Sequence, residues 1–235
     1  MTRLKRMGGL LRKVFIKAGV VIFLTAVLQF IFIRETNATH LRAGQIVATR
    51  ISCTGLTFRI VVTVYTNTGS PVLFGGEMDY LDFGDGSDPD NDGRLGILVP
   101  ETPNTILPEL GPTIGTASFV IEHTYPGPGR YLISYIEPNR NGGVLNMDNS
   151  ISTTFYIETQ INIDPFFGCN NTPQLLIPPI DRACTGVAFF HNPGAYDPDG
   201  DSLSYEFVVP YRERNTTVAN YRDPNNPFFY TNFPN

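Results

Sequence analysis

"LTFRIVVTVYTN", residues 56–67, is the stretch that decides the fold class. Leu56, Phe58, Ile60, Val62 and Val64 alternate along it with Thr57, Arg59, Thr63 and Tyr65. Successive side chains of a strand point to opposite faces, so this spacing builds one apolar face and one wet face. A helix would repeat its apolar residues at steps of three and four instead. Working outward, "GQIVATRIS" (44–52) and "MDYLDF" (78–83) read the same way. So do "ASFVIEHTY" (117–125), with Phe119, Ile121 and His123 on one face, and "GRYLISYIEP" (129–138). "SISTTFYIETQINI" (150–163) closes the set, with Phe155 and Ile157 inward. Strands at this spacing over residues 39–163 predict an antiparallel β-sandwich of immunoglobulin-like size. The connection from Asp88 to Gly115 is rich in Pro and Gly, and reads as an ordered loop or a strand pair at a sheet edge.

Residues 1–38 stand apart from this pattern. Arg3, Lys5, Arg6, Arg12, Lys13 and Lys17 precede an apolar run over 18–33, and small side chains follow it up to Ala38. That is the order of a secretory signal peptide, with cleavage near Ala38. A retained single-pass anchor is the competing reading, and it would be the protein's only membrane contact. The apolar run falls short of the roughly 20 residues a spanning helix needs. Seven of the 17 basic and one of the 22 acidic residues lie in this segment, which leaves 10 against 21 and a net charge of −11. Such a balance excludes nucleic acid and anionic membrane surfaces as partners and suits divalent cations.

Past Asp164 the pattern changes. "DPFFGCNNTPQLLIPPIDRAC" (164–184) is irregular and Pro-rich, and "GVAFFHN" (186–192) and "SLSYEFVVP" (202–210) then read as strands. The latter places Leu203, Tyr205, Phe207 and Val209 on one face. Residues 164–235 thus read as a partial second module, and the chain as the N-terminal part of something longer. The three cysteines suit an exported protein. Cys169 and Cys184 are close in sequence and predict a local disulfide; Cys53 is left as a buried thiol or as a competitor for one of them.

The acidic stretch "DFGDGSDPDNDGR" (82–94) has two halves. Asp85-Gly86 is a turn dipeptide, and Asp82 and Asp85 are placed to accept hydrogen bonds from amides across that turn. "DPDNDG" sets Asp88, Asp90 and Asp92 at alternate positions before Gly93, the start of a calcium loop. The twelfth position is Val99, where an EF-hand needs Glu, so the choice is between a looser calcium site and a solvated acidic turn. A second cluster, Asp197, Asp199 and Asp201 around Gly200, poses the same choice directly before the strand expected at 202–210.

"YLDFGDGS" followed by "HTYPGPGRYLISY" resembles the PKD domain, on Asp82, Phe83, Gly84, Asp85 and Gly86, then His123, Tyr125, Gly129 and Tyr131. The resemblance implies a β-sandwich in which these residues are structural, His123 being a fixed turn residue rather than a base. Leu81 replaces the Trp often found there, and a longer insert separates the two halves. "DPDGDSLSY" is similar to a signature of cadherin-like and immunoglobulin-like repeats, whose acids bind calcium at domain junctions in some members and form only a turn in others. The chain as a whole resembles the N-terminal region of gliding-motility-associated bacterial surface proteins. That likeness implies a secreted, non-enzymatic module at the bacterial cell surface, in adhesion or spacing, with a surface polysaccharide or protein as partner. The alternative is a carbohydrate-binding accessory region of a secreted hydrolase. His40 and His191 lie near no recognisable nucleophile motif, and the carboxylates sit in glycine-rich turns without an apolar pocket.

Overall fold

The computed structural model describes residues 40–138, 140–166, 168–179, 190–219 and 221–222. Its first long strands are β1 (Leu41–Arg50) and β2 (Thr57–Asn67), which pair antiparallel. The alternation in β2 does what its spacing demands: Phe58, Ile60, Val62 and Val64 have 0% exposure. Burying side chains of this size is worth about 1.5–3 kcal/mol each. After β3 (Tyr80–Asp82), β4 (Ile97–Leu98) and β5 (Thr105–Ile106) come three long strands, β6 (Ile114–Thr124), β7 (Gly129–Glu137) and β8 (Phe155–Ile163).

The described chain is all-β, and these strands form two four-stranded antiparallel sheets, ordered β1-β2-β6-β5 and β4-β3-β7-β8. Their inner faces share one core, in which Phe58, Ile60 and Val62 of the first sheet join Leu81, Ile133, Tyr135 and Phe155 of the second. The long connection after Asp88 supplies two-residue strands to the outer edges of both sheets, β4 on one and β5 on the other. Phe155 is buried and Ile157 packs against the core, as their alternation requires.

Past Asp164 the chain returns to this scaffold. β9 (Gln174–Leu175) pairs with β10 (Ala195–Tyr196), and β11 (Tyr211–Glu213) pairs with β12 (Thr216–Thr217). The second hairpin lies by β8: Arg140, whose guanidinium sits 5.4 Å from the Phe155 ring centre, donates to the Tyr211 carbonyl at 3.0 Å. Val218 beyond it is 5% exposed. The segment "SLSYEFVVP" corrects its sequence reading, because residues 202–210 form no strand and Tyr205, Phe207 and Val208 are exposed. Alternation marks a segment able to enter a sheet, but a strand exists only when a neighbour accepts its amides. Of the other expected strand, residues 186–189 lie outside the described residues, and Phe190 to Asn192 are not in a strand.

The disulfide is a second correction. Cys169 is bonded to Cys53, 116 residues away in sequence, and not to Cys184. Cys184 itself lies outside the described residues. Sequence proximity favoured a local bridge. The fold instead lays the chain after β8 along β1, which brings the Cα atoms of Cys53 and Cys169 to 4.7 Å.

Candidate functional site

The two halves of the turn motif meet at one end of the sandwich. β3 delivers Asp82, and the chain turns through Phe83, Gly84, Asp85 and Gly86; β6 delivers His123, followed by Tyr125. Asp82 Oδ1 accepts the Gly84 amide at 2.8 Å, and Asp85 Oδ1 accepts both the Ser87 amide (3.0 Å) and its hydroxyl (2.6 Å). The other Asp85 oxygen lies 2.7 Å from His123 Nε2. The imidazole is stacked flat on Phe83, with ring centres 3.9 Å apart and planes within 3°. Tyr125 stands edge-on to it and donates to the Phe83 carbonyl at 3.2 Å. Tyr131 packs on Tyr125 at 4.4 Å and donates to the Gly127 carbonyl at 2.9 Å, closing the turn before Gly129. Gly84 has φ +77°, and a Cβ there would run into the Leu132 carbonyl, so no other residue fits without displacing β7. Gly86 also has positive φ, with open space around it.

Burial alone would raise the Asp85 carboxyl, but hydrogen bonds from Ser87 and His123 outweigh it and hold the group below the ordinary carboxylate range. The Ser87 hydroxyl donates to the carboxylate rather than to the imidazole. Hydroxyl, carboxylate and imidazole are therefore joined in that order, with the carboxylate between the other two groups and tying the turn to β6.

The first acidic cluster spends its carboxylates on its own loop. Asp88 accepts the amides of Asp92 (3.2 Å) and Gly93 (2.9 Å). Asp90 accepts the Leu98 amide at 2.9 Å, which ties the loop to β4. Asp92 accepts the Tyr80 hydroxyl at 2.7 Å and the Arg94 amide at 2.9 Å, and these two bonds lower its carboxyl in that order. In the second cluster Asp197 accepts the amides of Asp199 (2.9 Å) and Asp201 (3.3 Å). Asp199 reaches back to Asn171, accepting its backbone amide at 2.6 Å and its side-chain amide at 2.9 Å. The Asp201 side chain is exposed. Among the described residues, no group of three or more His, Cys, Asp or Glu side chains is close enough to hold a metal ion.

A third cluster lies inside the core, where the sequence reading placed no site. His40 is 0% exposed, with Nε2 3.0 Å from Glu137 Oε1, an ion-pair distance whose angle makes no hydrogen bond. The other Glu137 oxygen accepts the Tyr135 hydroxyl at 2.6 Å. Pairing of β3 with β7 sets Tyr80 opposite Ile136 and Leu81 opposite Tyr135. One further step along that register puts Asp79 across from Glu137, two like charges facing each other. Burial first, and Glu137 second, push the Asp79 carboxyl up to about 7. Asp79 Oδ1, Thr66 Oγ1 and both His40 ring nitrogens are buried without a hydrogen bond.

The signal for this cluster was in the alternation. Glu137 continues the inward parity of Ile133 and Tyr135, Asp79 that of Leu81 and Phe83, and Thr66 that of Phe58 through Val64. A polar residue in an inward position near a strand end is the mark. That the three ends meet, with His40 among them, depends on how the sheets stack. A search of protein-family models, curated proteins and solved structures finds no match to this chain.

Proposed function

We propose that this chain is an exported, non-enzymatic module of a bacterial surface protein, PKD-like in fold and of the gliding-motility-associated kind, serving in adhesion or spacing. The observation that carries this reading is the joining of the Asp82–Gly86 turn to His123 and Tyr125 through the Asp85–His123 pair and the Phe83 stack. In this reading the motif is a clamp at a sandwich end, and the function lies in what the sandwich presents. The sheet orders β1-β2-β6-β5 and β4-β3-β7-β8 are those of strands A-B-E-D and C′-C-F-G in an immunoglobulin-like sandwich, which supports the finer fold assignment. The Cys53–Cys169 bond supports export, because disulfides persist in oxidising compartments.

Surface proteolysis of intact cells, combined with mass spectrometry of the mature N-terminus, tests the proposal. Protease-accessible protein that begins near Thr39 and keeps its disulfide is the expected result. Protein confined to the cytoplasm with reduced cysteines would overturn it. A second reading, a carbohydrate-binding accessory region, is favoured by exposed aromatics. Phe190, Tyr205 and Phe207 line a cleft of about 650 Å³ together with His191 and Pro193. Flat rings at a cleft mouth can stack on sugars, so binding to a panel of polysaccharides that is lost in Phe207→Ala would favour this reading over the first.

A further inference from the structure

The outer edge of β1 is covered by a strap that is not a strand of its sheet. Residues 168–175 run antiparallel to β1 and meet it largely through side chains. Thr172 Oγ1 accepts the Ala48 amide at 2.8 Å, while the Thr172 amide donates to the Ala48 carbonyl at 3.1 Å. Asn171 Oδ1 accepts the Arg50 amide at 2.7 Å, and the Gly168 carbonyl accepts the Arg50 guanidinium at 3.0 Å. Gln45 closes a reciprocal pair with the Leu175 backbone, at 3.0 and 3.2 Å. Asp199 holds Asn171 from behind. The Cys53–Cys169 bond fastens one end. An edge strand with open amides and carbonyls is a template for another chain, and this edge is closed by a fitted cover in place of a neighbouring strand.

We propose that the strap is exchangeable between two copies of this chain, with the Cys53–Cys169 bond as its lock. A dithiol opens the bond: the disulfide is reduced to two thiols, and the dithiol becomes a disulfide. Residues 168–175 of each copy then dock on β1 of the other. A small-molecule disulfide recloses each lock between chains, being itself reduced to two thiols as the new Cys53–Cys169 bond forms. The occupant is a second copy because the edge is matched to a particular run of side chains. A cysteine opposite Cys53, an Asn for Arg50 and a Thr for Ala48, in that spacing, are what residues 169–172 of another copy bring. β8 ends at Ile163 and the strap begins at Gly168, so a connection of four residues lies between the sandwich and the segment that would exchange. The hairpin β11–β12 travels with the strap and meets Arg140 of the second copy as it meets its own. Exchange thus keeps the contacts of the closed monomer and changes only which chain supplies them.

Two variants of the full chain test this, Cys53→Ser and Cys169→Ser, each also carrying Cys184→Ala. Neither can close the bond within itself. They are mixed in dithiothreitol and reoxidised with glutathione disulfide. The expected product is a covalent heterodimer on non-reducing electrophoresis, whose yield drops several-fold when Asn171→Ala is placed on the strap-donating chain. Monomers with glutathione-capped cysteines, from variants whose circular dichroism is that of folded protein, would overturn the proposal. So would a heterodimer yield indifferent to Asn171→Ala, the mark of random collision between thiols. Should either variant fail to fold, wild-type chains labelled light and heavy with nitrogen isotopes replace them. After joint reduction and reoxidation, Cys53–Cys169 peptides joining one light and one heavy half are expected, and only all-light and all-heavy peptides would refute exchange.

Discussion

Replacing Asp79 with Asn should change the pH dependence of stability more than stability itself. In the folded protein the Asp79 carboxyl is raised from 3.8 to about 7 by burial and by Glu137 across the strands. The folded protein therefore keeps a proton that the unfolded chain gives up. Below pH 4 both states are protonated and the group contributes nothing to the difference. From there to about pH 7 the unfolded state is favoured by about 1.4 kcal/mol per pH unit, and above that the loss is complete, on the order of 4 kcal/mol. Between pH 5 and pH 8 the wild type should lose about 3 kcal/mol from this group. Asp85 works in the opposite sense, since its stabilisation is present above the ordinary carboxylate range and lost as pH falls, which keeps it outside the window. The chain has no Trp, so urea unfolding at the two pH values is followed by circular dichroism in the tyrosine and far-UV bands. Asp79→Asn should flatten the profile, gaining on the wild type as pH rises. A wild-type-to-variant difference that is the same at pH 5 and pH 8 would refute the reasoning, because a constant offset reports packing and not a proton.

The turn clamp, the disulfide and the acidic loops each offer a further measurement. His123→Ala removes the stack on Phe83 and the bond to Asp85 together, and should lower the unfolding free energy by about 2–4 kcal/mol in a denaturant titration. Gly84→Ala forces a side chain into positive φ and against the Leu132 carbonyl, and a loss of at least about 2 kcal/mol is expected in the same assay. Cys53→Ser opens a bond spanning 116 residues and should cost about 2–5 kcal/mol, read as a lower thermal midpoint under non-reducing conditions. Calcium at millimolar concentration should leave the thermal midpoint where chelator leaves it, because the Asp88, Asp90 and Asp92 carboxylates already hold loop amides and Asp197 and Asp199 hold theirs. A rise with calcium would show that one of these loops rearranges into a cation site.

Much of the scaffold was legible because its information is local. Alternation in β2, β7 and β8 identifies the strands and which side chains they bury, since the pleat assigns every second residue to one face whatever lies beyond it. The bonds of Asp82 to Gly84 and of Asp85 to Ser87 span two residues each, so a turn reading finds them. Even His123 was marked, through the H-x-Y spacing it shares with Tyr125. The same local signal also misled. Residues 203–209 alternate as β2 does, yet no described strand lies alongside to accept their amides, and residues 203–208 remain exposed coil.

What the sequence by itself determined was the long strands of the sandwich, β1, β2, β6, β7 and β8, their inward faces and the short-range bonds of the turns. Tertiary structure alone decided which cysteine Cys169 joins, what covers the edge of β1, and that His40, Asp79 and Glu137 share one buried end. These outcomes rest on pairs that lie far apart along the chain. Their energies exist only after the two sheets have stacked and the segment after β8 has turned back on β1, and no pattern within either partner records that meeting.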